Sequence, residues 1–134
     1  MSKRALTTET LGAPVGNRAT PFSLGIVAEG KRVVFVSGMV GIDRSWKPVS
    51  LDVTKQTEQT LENVKAILAS AGGTLDDVVK ITIFLTSIGD YPKVSAVRAR
   101  YFKEPYPASS CVEVSKLVVE GLRVEIETIA MLDK

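Results

Sequence analysis

The residue types in this chain restrict the chemistry that it can perform. Its 134 residues include no histidine and one cysteine, Cys111. Catalysis by serine–histidine–aspartate or cysteine–histidine arrangements is therefore excluded, and so is a metal site built on histidines or on several cysteines. Any acid–base work must fall to carboxylates, lysine, tyrosine, the one thiol or backbone groups.

Three of the remaining candidates stand in or next to apolar segments. Glu125 alternates with Val124 and Ile126, and this pattern alone favours a solvated strand residue. Cys111 has no histidine to activate it, so a small buried side chain is the simpler interpretation. Gly38 follows a β-rich segment, where glycine permits either a bend in the strand or the close approach of a ligand.

The segments around these residues have the composition of β-strands. Residues 22–27 and 32–36 are separated by a turn at residues 29–31, which predicts a β-hairpin. Residues 78–85, 109–114 and 122–131 indicate three more strands, with a turn near Gly121 between the last two. A further strand is possible at residues 4–7.

Two segments have helical periodicity. The first predicts a helix capped by Ser50 and stopped at Gly72, with one apolar face formed by Val53, Thr57, Leu61, Val64, Leu68 and Ala71. The second predicts a helix capped by Asp90 with Pro92 in its first turn. Its helical spacing links Tyr91, Val94, Val97 or Arg98, and Tyr101.

The order β-β-α-β-α-β-β predicts a single α+β domain over residues 1–134. Two helices cover only one face of such a sheet, while several strands are nearly continuous apolar runs. We therefore expect a second copy of the chain to cover the other face.

Composition argues against several partners and locations. The net charge of +2 is too small to indicate nucleic acid or an anionic membrane. No apolar stretch is long enough for a membrane span, and the first residues lack the apolar core of a signal peptide. A single cysteine fits a reducing compartment, so we expect a cytoplasmic protein.

Five segments, in order along the chain, resemble the RidA (YjgF-like) family of reactive-intermediate deaminases. They are residues 36–38, 59–68, 78–85, 107–114 and 124–130. The resemblance implies a chorismate-mutase-like fold, a mixed sheet of about six strands with two helices on one face, and a homotrimer with ligand clefts between subunits. It also implies hydrolysis of enamines or imines to 2-keto acids and ammonia, without metal or organic cofactor.

At three positions the chain departs from the family pattern. Ser109 stands where active relatives have the arginine that grips the substrate carboxylate, so a charged bidentate donor becomes a neutral hydroxyl. Phe22 replaces a tyrosine, and Ser95 replaces a frequent asparagine. All three changes make the implied cleft less polar or less charged, which suggests a different ligand.

Other site positions match the family. Glu125 corresponds to the glutamate that positions the attacking water, Gly38 to a pocket glycine, and Cys111 to a residue whose backbone N–H could bind a ligand oxygen. The lost cation could be supplied instead by Arg18, Arg44, Arg98 or Arg100, although a solvated surface role is expected for each.

Three functions remain open at this stage. The first is an enamine or imine deaminase with altered substrate choice, acting for example on a substrate without a carboxylate. The second is a non-catalytic trimer that binds a small metabolite as a sensor or accessory protein. The third, an endoribonuclease, is disfavoured because the chain has neither histidine nor a dense basic run.

Overall fold

The structure is a computed structural model that describes residues 2–11 and 15–133. Its elements follow the order expected from the sequence. The strands are β1 (Ser2–Ala5), β2 (Ile26–Glu29), β3 (Arg32–Val40), β4 (Val78–Leu85), β5 (Ala108–Glu113) and β6 (Val124–Leu132), and the helices are α1 (Val53–Ser70) and α2 (Tyr91–Tyr101). Short 3-10 turns at Leu75–Asp77 and Ile88–Asp90 precede β4 and α2.

The six strands form two sheets. The larger one has the order β3-β6-β4-β5, in which β4 and β5 run parallel and the other pairs antiparallel. The smaller sheet pairs β1 with β2. The two helices and the mixed strand arrangement agree with the prediction, but the strands do not form one continuous sheet.

The predicted hairpin between residues 22–27 and 32–36 is wrong. β2 pairs with β1, whereas β3 pairs with β6. The predicted turn at residues 29–31 does not join paired strands, because Glu29 ends β2 and the Lys31 N–H donates to the Leu132 carbonyl at 2.8 Å, which extends the β3–β6 ladder. Partners this distant along the chain leave no local signal.

Helix α1 keeps its predicted apolar face but not its predicted cap. Asp52, not Ser50, caps the first turn by accepting from the Lys55 N–H at 2.9 Å. The Ser50 hydroxyl instead accepts from the Asp52 N–H. Gly72 ends the helix as predicted, with a φ of +84° that favours glycine.

Helix α2 starts where it was predicted, but the Asp90 carboxylate forms an ion pair and does not cap the helix. Asp90 makes no capping hydrogen bond. Both of its oxygens accept from one Arg123 nitrogen, at 2.7 and 2.8 Å, and its side chain is largely buried. The start of α2 is thus fastened to the residue just before β6.

The two faces of the large sheet differ in what covers them. Buried side chains such as Ile81, Ile83 and Ile126 face the helices and form one core with them. The opposite face carries Val33, Phe35 and Val112, which are exposed, with Phe35 at 76%. Within the described residues, no element packs over these three side chains.

Candidate functional site

An open cavity of about 600 Å³ lies where the first turn of α2 meets β5. Three of the predicted site residues line it, namely Phe22, Ser109 and Cys111, and its other walls are Ile88, Gly89, Tyr91 and Pro92. The volume is in the range of small-molecule sites. The cavity is mainly apolar, with hydroxyl and thiol groups on one wall.

Phe22 reaches this cavity although it is not part of a strand. Its neighbour Ser23 donates its N–H to the Pro107 carbonyl at 3.1 Å and its hydroxyl to the Tyr106 carbonyl. Ser23 also forms a parallel bridge with Ala108, the first residue of β5. The N-terminal segment is thereby held against the strand that carries Ser109 and Cys111.

Arg98 contradicts the expectation of a solvated surface arginine. It is 1% exposed and lies on the inner side of α2, whereas Arg18, Arg44 and Arg100 are exposed as expected. The guanidinium donates to the Ser109 Oγ and to the Tyr91 hydroxyl, each at 2.9 Å, and to the Ser95 Oγ at 3.3 Å. A charged group therefore lies directly behind Ser109.

The thiol of Cys111 points to the same region. Burial raises its pKa above the ordinary value, and the positive charge of Arg98 partly opposes that shift. The thiol is thus mostly protonated near neutral pH, which fits a wall residue better than a nucleophile. The positive charge of Arg98 nevertheless acts on the Cys111 thiol, which lines the cavity.

Glu125 and Gly38 form a second, separate group. Glu125 lies on β6 opposite Val40, beside an irregularity of β3 between Val36 and Met39. A side chain at position 38 would collide with the Glu125 carboxylate. Glycine at position 38 thus lets the carboxylate lie directly against the backbone, and a larger residue would displace it.

The strand register separates this group from the cavity. Ser109 pairs with Ile81 on β4, and Glu125 pairs with Phe84 on the same strand. Successive strand residues point to alternate faces, so positions three apart lie on opposite sides. Within one chain, Ser109 and Cys111 are on the helix-covered face, while Glu125 is on the uncovered face.

Sequence reasoning did not assign Tyr91 to the site and expected Arg98 on the surface. Their seven-residue separation could have indicated this, because it puts both side chains on the same face of α2, the face that packs inward. Within residues 2–11 and 15–133, no group of three or more Cys, Asp or Glu side chains is arranged to hold a metal ion.

A second hollow, of about 560 Å³, lies between α1, the Leu75–Asp77 turn and the end of α2. None of the predicted site residues lines it. Tyr101 does, and burial, reinforced by Glu62, raises the pKa of its hydroxyl to about 12. A phenol that stays protonated at physiological pH does not act as a general base in this hollow.

Comparison with known proteins agrees with the resemblance seen in the sequence. The family described as Endoribonuclease L-PSP matches residues 15–132. This chain belongs to that family. A RutC family protein of Pyrococcus horikoshii is 41% identical to it over 129 residues, covering 96% of this chain and 97% of the relative.

Family members with more specific names are also similar. A 2-iminobutanoate/2-iminopropanoate deaminase of Salmonella typhimurium is 37% identical over 134 residues, covering 98% of each chain. Among solved structures, a Rid-family protein of Yersinia pestis superimposes with a TM-score of 0.87 at 29% identity, over 98% of this chain and 100% of its own. RidA of a Psychrobacter species gives a TM-score of 0.72 at 34% identity, over 96% and 99%.

No helix within the described ranges combines the length and the apolar character that crossing a bilayer requires.

Proposed function

We propose that this member of the Endoribonuclease L-PSP family is an enamine or imine deaminase that works as a homotrimer with a chorismate-mutase-like fold. The substrate would occupy the cavity lined by Phe22, Ser109 and Cys111. The observation that carries the proposal is this cavity, because Ser109, which corresponds to the arginine implied by the family resemblance, is among the residues that line it. Support also comes from relatives named 2-iminobutanoate/2-iminopropanoate deaminase, at 37% and 30% identity.

The proposed reaction needs only water and a proton acceptor. Water adds to the carbon of the protonated C=N bond while a carboxylate takes one of its protons, giving a carbinolamine. The carboxylic acid returns that proton to the nitrogen, ammonia leaves, and the remaining O–H gives up its proton as the C=O bond forms, so that iminium and water yield a carbonyl product and ammonium. Glu125 is the residue that we assign to orient and deprotonate the water.

The geometry requires a neighbouring copy for this role. Glu125 lies on the sheet face opposite the cavity of its own chain, so the carboxylate near each cavity would come from another subunit. The exposed side chains of Val33, Phe35 and Val112 on that face favour such an assembly. The clefts would then form between subunits, as the family resemblance implies.

A non-catalytic metabolite-binding trimer is the second candidate. The separation of Glu125 from the cavity favours it, because an assembly that leaves the carboxylate far from the cavity would still bind ligand. RNA cleavage has less support, since the cavity is lined mainly by apolar side chains and presents no exposed cation on its wall.

The test is ammonia release from 2-iminobutanoate generated in place by an amino-acid oxidase. We expect the protein to accelerate ammonia formation, and Glu125→Gln to reduce the rate by roughly a hundredfold or more, as general-base removal does. Glu127→Gln is the matched control, because Glu127 lies two residues along β6 on the same face and is exposed. No acceleration with a range of imines would refute the proposal, and a thermal shift by an unconsumed ligand would then support the binding function.

A further inference from the structure

Arg98 is a buried cation without a buried anion. None of the carboxylates in the described residues lies within ion-pair distance of it, and its Nε has no hydrogen-bond partner. Tyr91 compensates in part, with its ring centre 5.7 Å from the guanidinium carbon. Removing a guanidinium from water is unfavourable unless an opposite charge is supplied. The described residues of one chain supply no such charge to Arg98.

The hydrogen bonds of Arg98 determine whether the Ser109 and Tyr91 hydroxyls can donate to a ligand in the cavity. A guanidinium only donates, so the oxygens of Ser109 and Tyr91 must accept from it. Each hydroxyl keeps its own proton, and neither has another partner among the described residues. Both residues line the cavity, so these two O–H groups are available as donors to a ligand and are polarised by the charge behind them.

We infer that Arg98 makes this cavity selective for the carboxylate of a small 2-imino or 2-oxo acid, which the Ser109 and Tyr91 hydroxyls bind directly. Arg98 is a positioning residue in this arrangement, because it acts through the two hydroxyls. The ligand class rests on the proposed function, but the carboxylate itself does not. The inference replaces the expectation that loss of the family arginine removes the carboxylate from the substrate.

The shape and charge of the cavity favour such a ligand over larger anions. Two donors and a single buried positive charge match a monoanion with two oxygens better than a phosphate with two negative charges. The remaining walls, Phe22, Ile88 and Pro92, are apolar and suit a short aliphatic chain.

A purely structural role for Arg98 is the competing explanation. The same hydrogen bonds tie α2 to β5, so an Arg98 variant can lose stability for reasons unrelated to a ligand. The experiment must therefore measure selectivity between ligands and not only stability or total activity.

The first measurement is equilibrium binding of 2-oxobutanoate and of butanone, which lacks the carboxylate, by ligand-observed NMR. We expect the protein to prefer 2-oxobutanoate. Arg98→Met should reduce that preference by about tenfold to a hundredfold, the range of one charge-assisted hydrogen bond, and Arg98→Lys should restore part of it. Arg100→Met is the control, because it removes the same charge from the exposed side of the same helix.

The second measurement uses the Cys111 thiol as a reporter of charge in the cavity. Burial raises the thiol pKa and Arg98 lowers it. Removing the Arg98 charge should therefore raise the pKa further and shift the pH profile of iodoacetamide alkylation to higher pH. Arg98→Lys and Arg100→Met should leave the profile near that of the parent protein, which a loss of packing alone would not reproduce.

Several outcomes would overturn the inference. One is that the parent protein binds 2-oxobutanoate and butanone equally well. Another is that Arg98→Met has the same ligand preference and the same pH profile of alkylation as the parent protein. If Arg98→Met does not fold, Ser109→Ala and Tyr91→Phe retain the cation and must each weaken 2-oxobutanoate binding. Neither measurement needs turnover, so a protein that binds 2-oxobutanoate selectively without hydrolysing imines would refute the proposed function and keep this inference.

Discussion

Ser109 and Glu125 lie on opposite faces of one four-stranded sheet, three register positions apart along their common neighbour β4. The sheet itself prevents their side chains from sharing a cleft within one chain. Any reaction that uses both residues must therefore combine the cavity of one copy with the carboxylate of another.

Mixing two inactive variants tests this combination directly. Glu125→Gln removes the carboxylate, and Ser109→Trp fills the cavity. If each cleft takes its two halves from different subunits, co-refolded mixtures should regain about one functional cleft in four by random assembly. Ammonia release from 2-iminobutanoate measures the recovery. A mixture as inactive as its components would mean that the two residues do not act in one shared cleft.

The uncovered sheet face should determine the oligomeric state. Phe35→Glu places a charge in the middle of the exposed apolar side chains, so we expect it to shift the sedimentation coefficient from that of a trimer toward that of a monomer. Val118→Glu is the control, because Val118 is 98% exposed in the segment between β5 and β6. A parent protein that sediments as a monomer at micromolar concentration would contradict the expected assembly.

Sequence reasoning predicted the elements of this fold better than their pairing. The periodicity of α1 and the β-branched composition of β4 are local signals, and both elements appear at their predicted positions. The pairing of β1 with β2, and of β3 with β6, depends on residues far apart in sequence. A two-residue connection at Gly30 and Lys31 resembles a hairpin turn whether or not its flanking strands pair.

Moving the buried positive charge from position 98 to position 109 should destabilise the protein less than adding a second positive charge at position 109. Ser109→Arg alone places a guanidinium against Arg98, and we expect it to lower the free energy of unfolding by roughly 1–3 kcal/mol. The double variant Ser109→Arg/Arg98→Met has one cation again and should regain most of that loss in urea denaturation.

A companion variant separates this effect from a general one. Ser109→Arg/Arg100→Met also removes one positive charge, but from the exposed side of α2, and should regain little. Equal recovery by the two double variants would show that position 109 does not respond to the charge of Arg98.

The ion pair between Asp90 and Arg123 should stabilise the start of α2. Asp90 is nearly buried and Arg123 is partly exposed, so we expect Asp90→Asn to cost about 1–3 kcal/mol, less than a fully buried pair. Asp76→Asn removes the exposed partner of Lys103 and should cost less than about 1 kcal/mol. Thermal or urea unfolding measures both, and equal costs would show that the Asp90 pair stabilises the protein no more than an exposed pair does.

The candidate site was predicted in part. Family motifs indicated Phe22, Ser109 and Cys111, and all three line the cavity. They did not indicate Arg98, because arginine is usually a surface residue and the motif position, Ser109, is eleven residues further on. Only the packing of α2 against β5 shows that the guanidinium is buried and hydrogen-bonded to Ser109.

Helix α2 and strand β5 contribute different properties to the cavity. Strand β5 forms part of the cavity wall through Ser109 and Cys111, and helix α2 places the positive charge of Arg98 behind that wall. A substitution at Cys111 can therefore change the space without removing that charge, whereas Ser109 takes part in both, because its hydroxyl accepts a hydrogen bond from Arg98. The size of the cavity and its polarity are thus coupled at position 109.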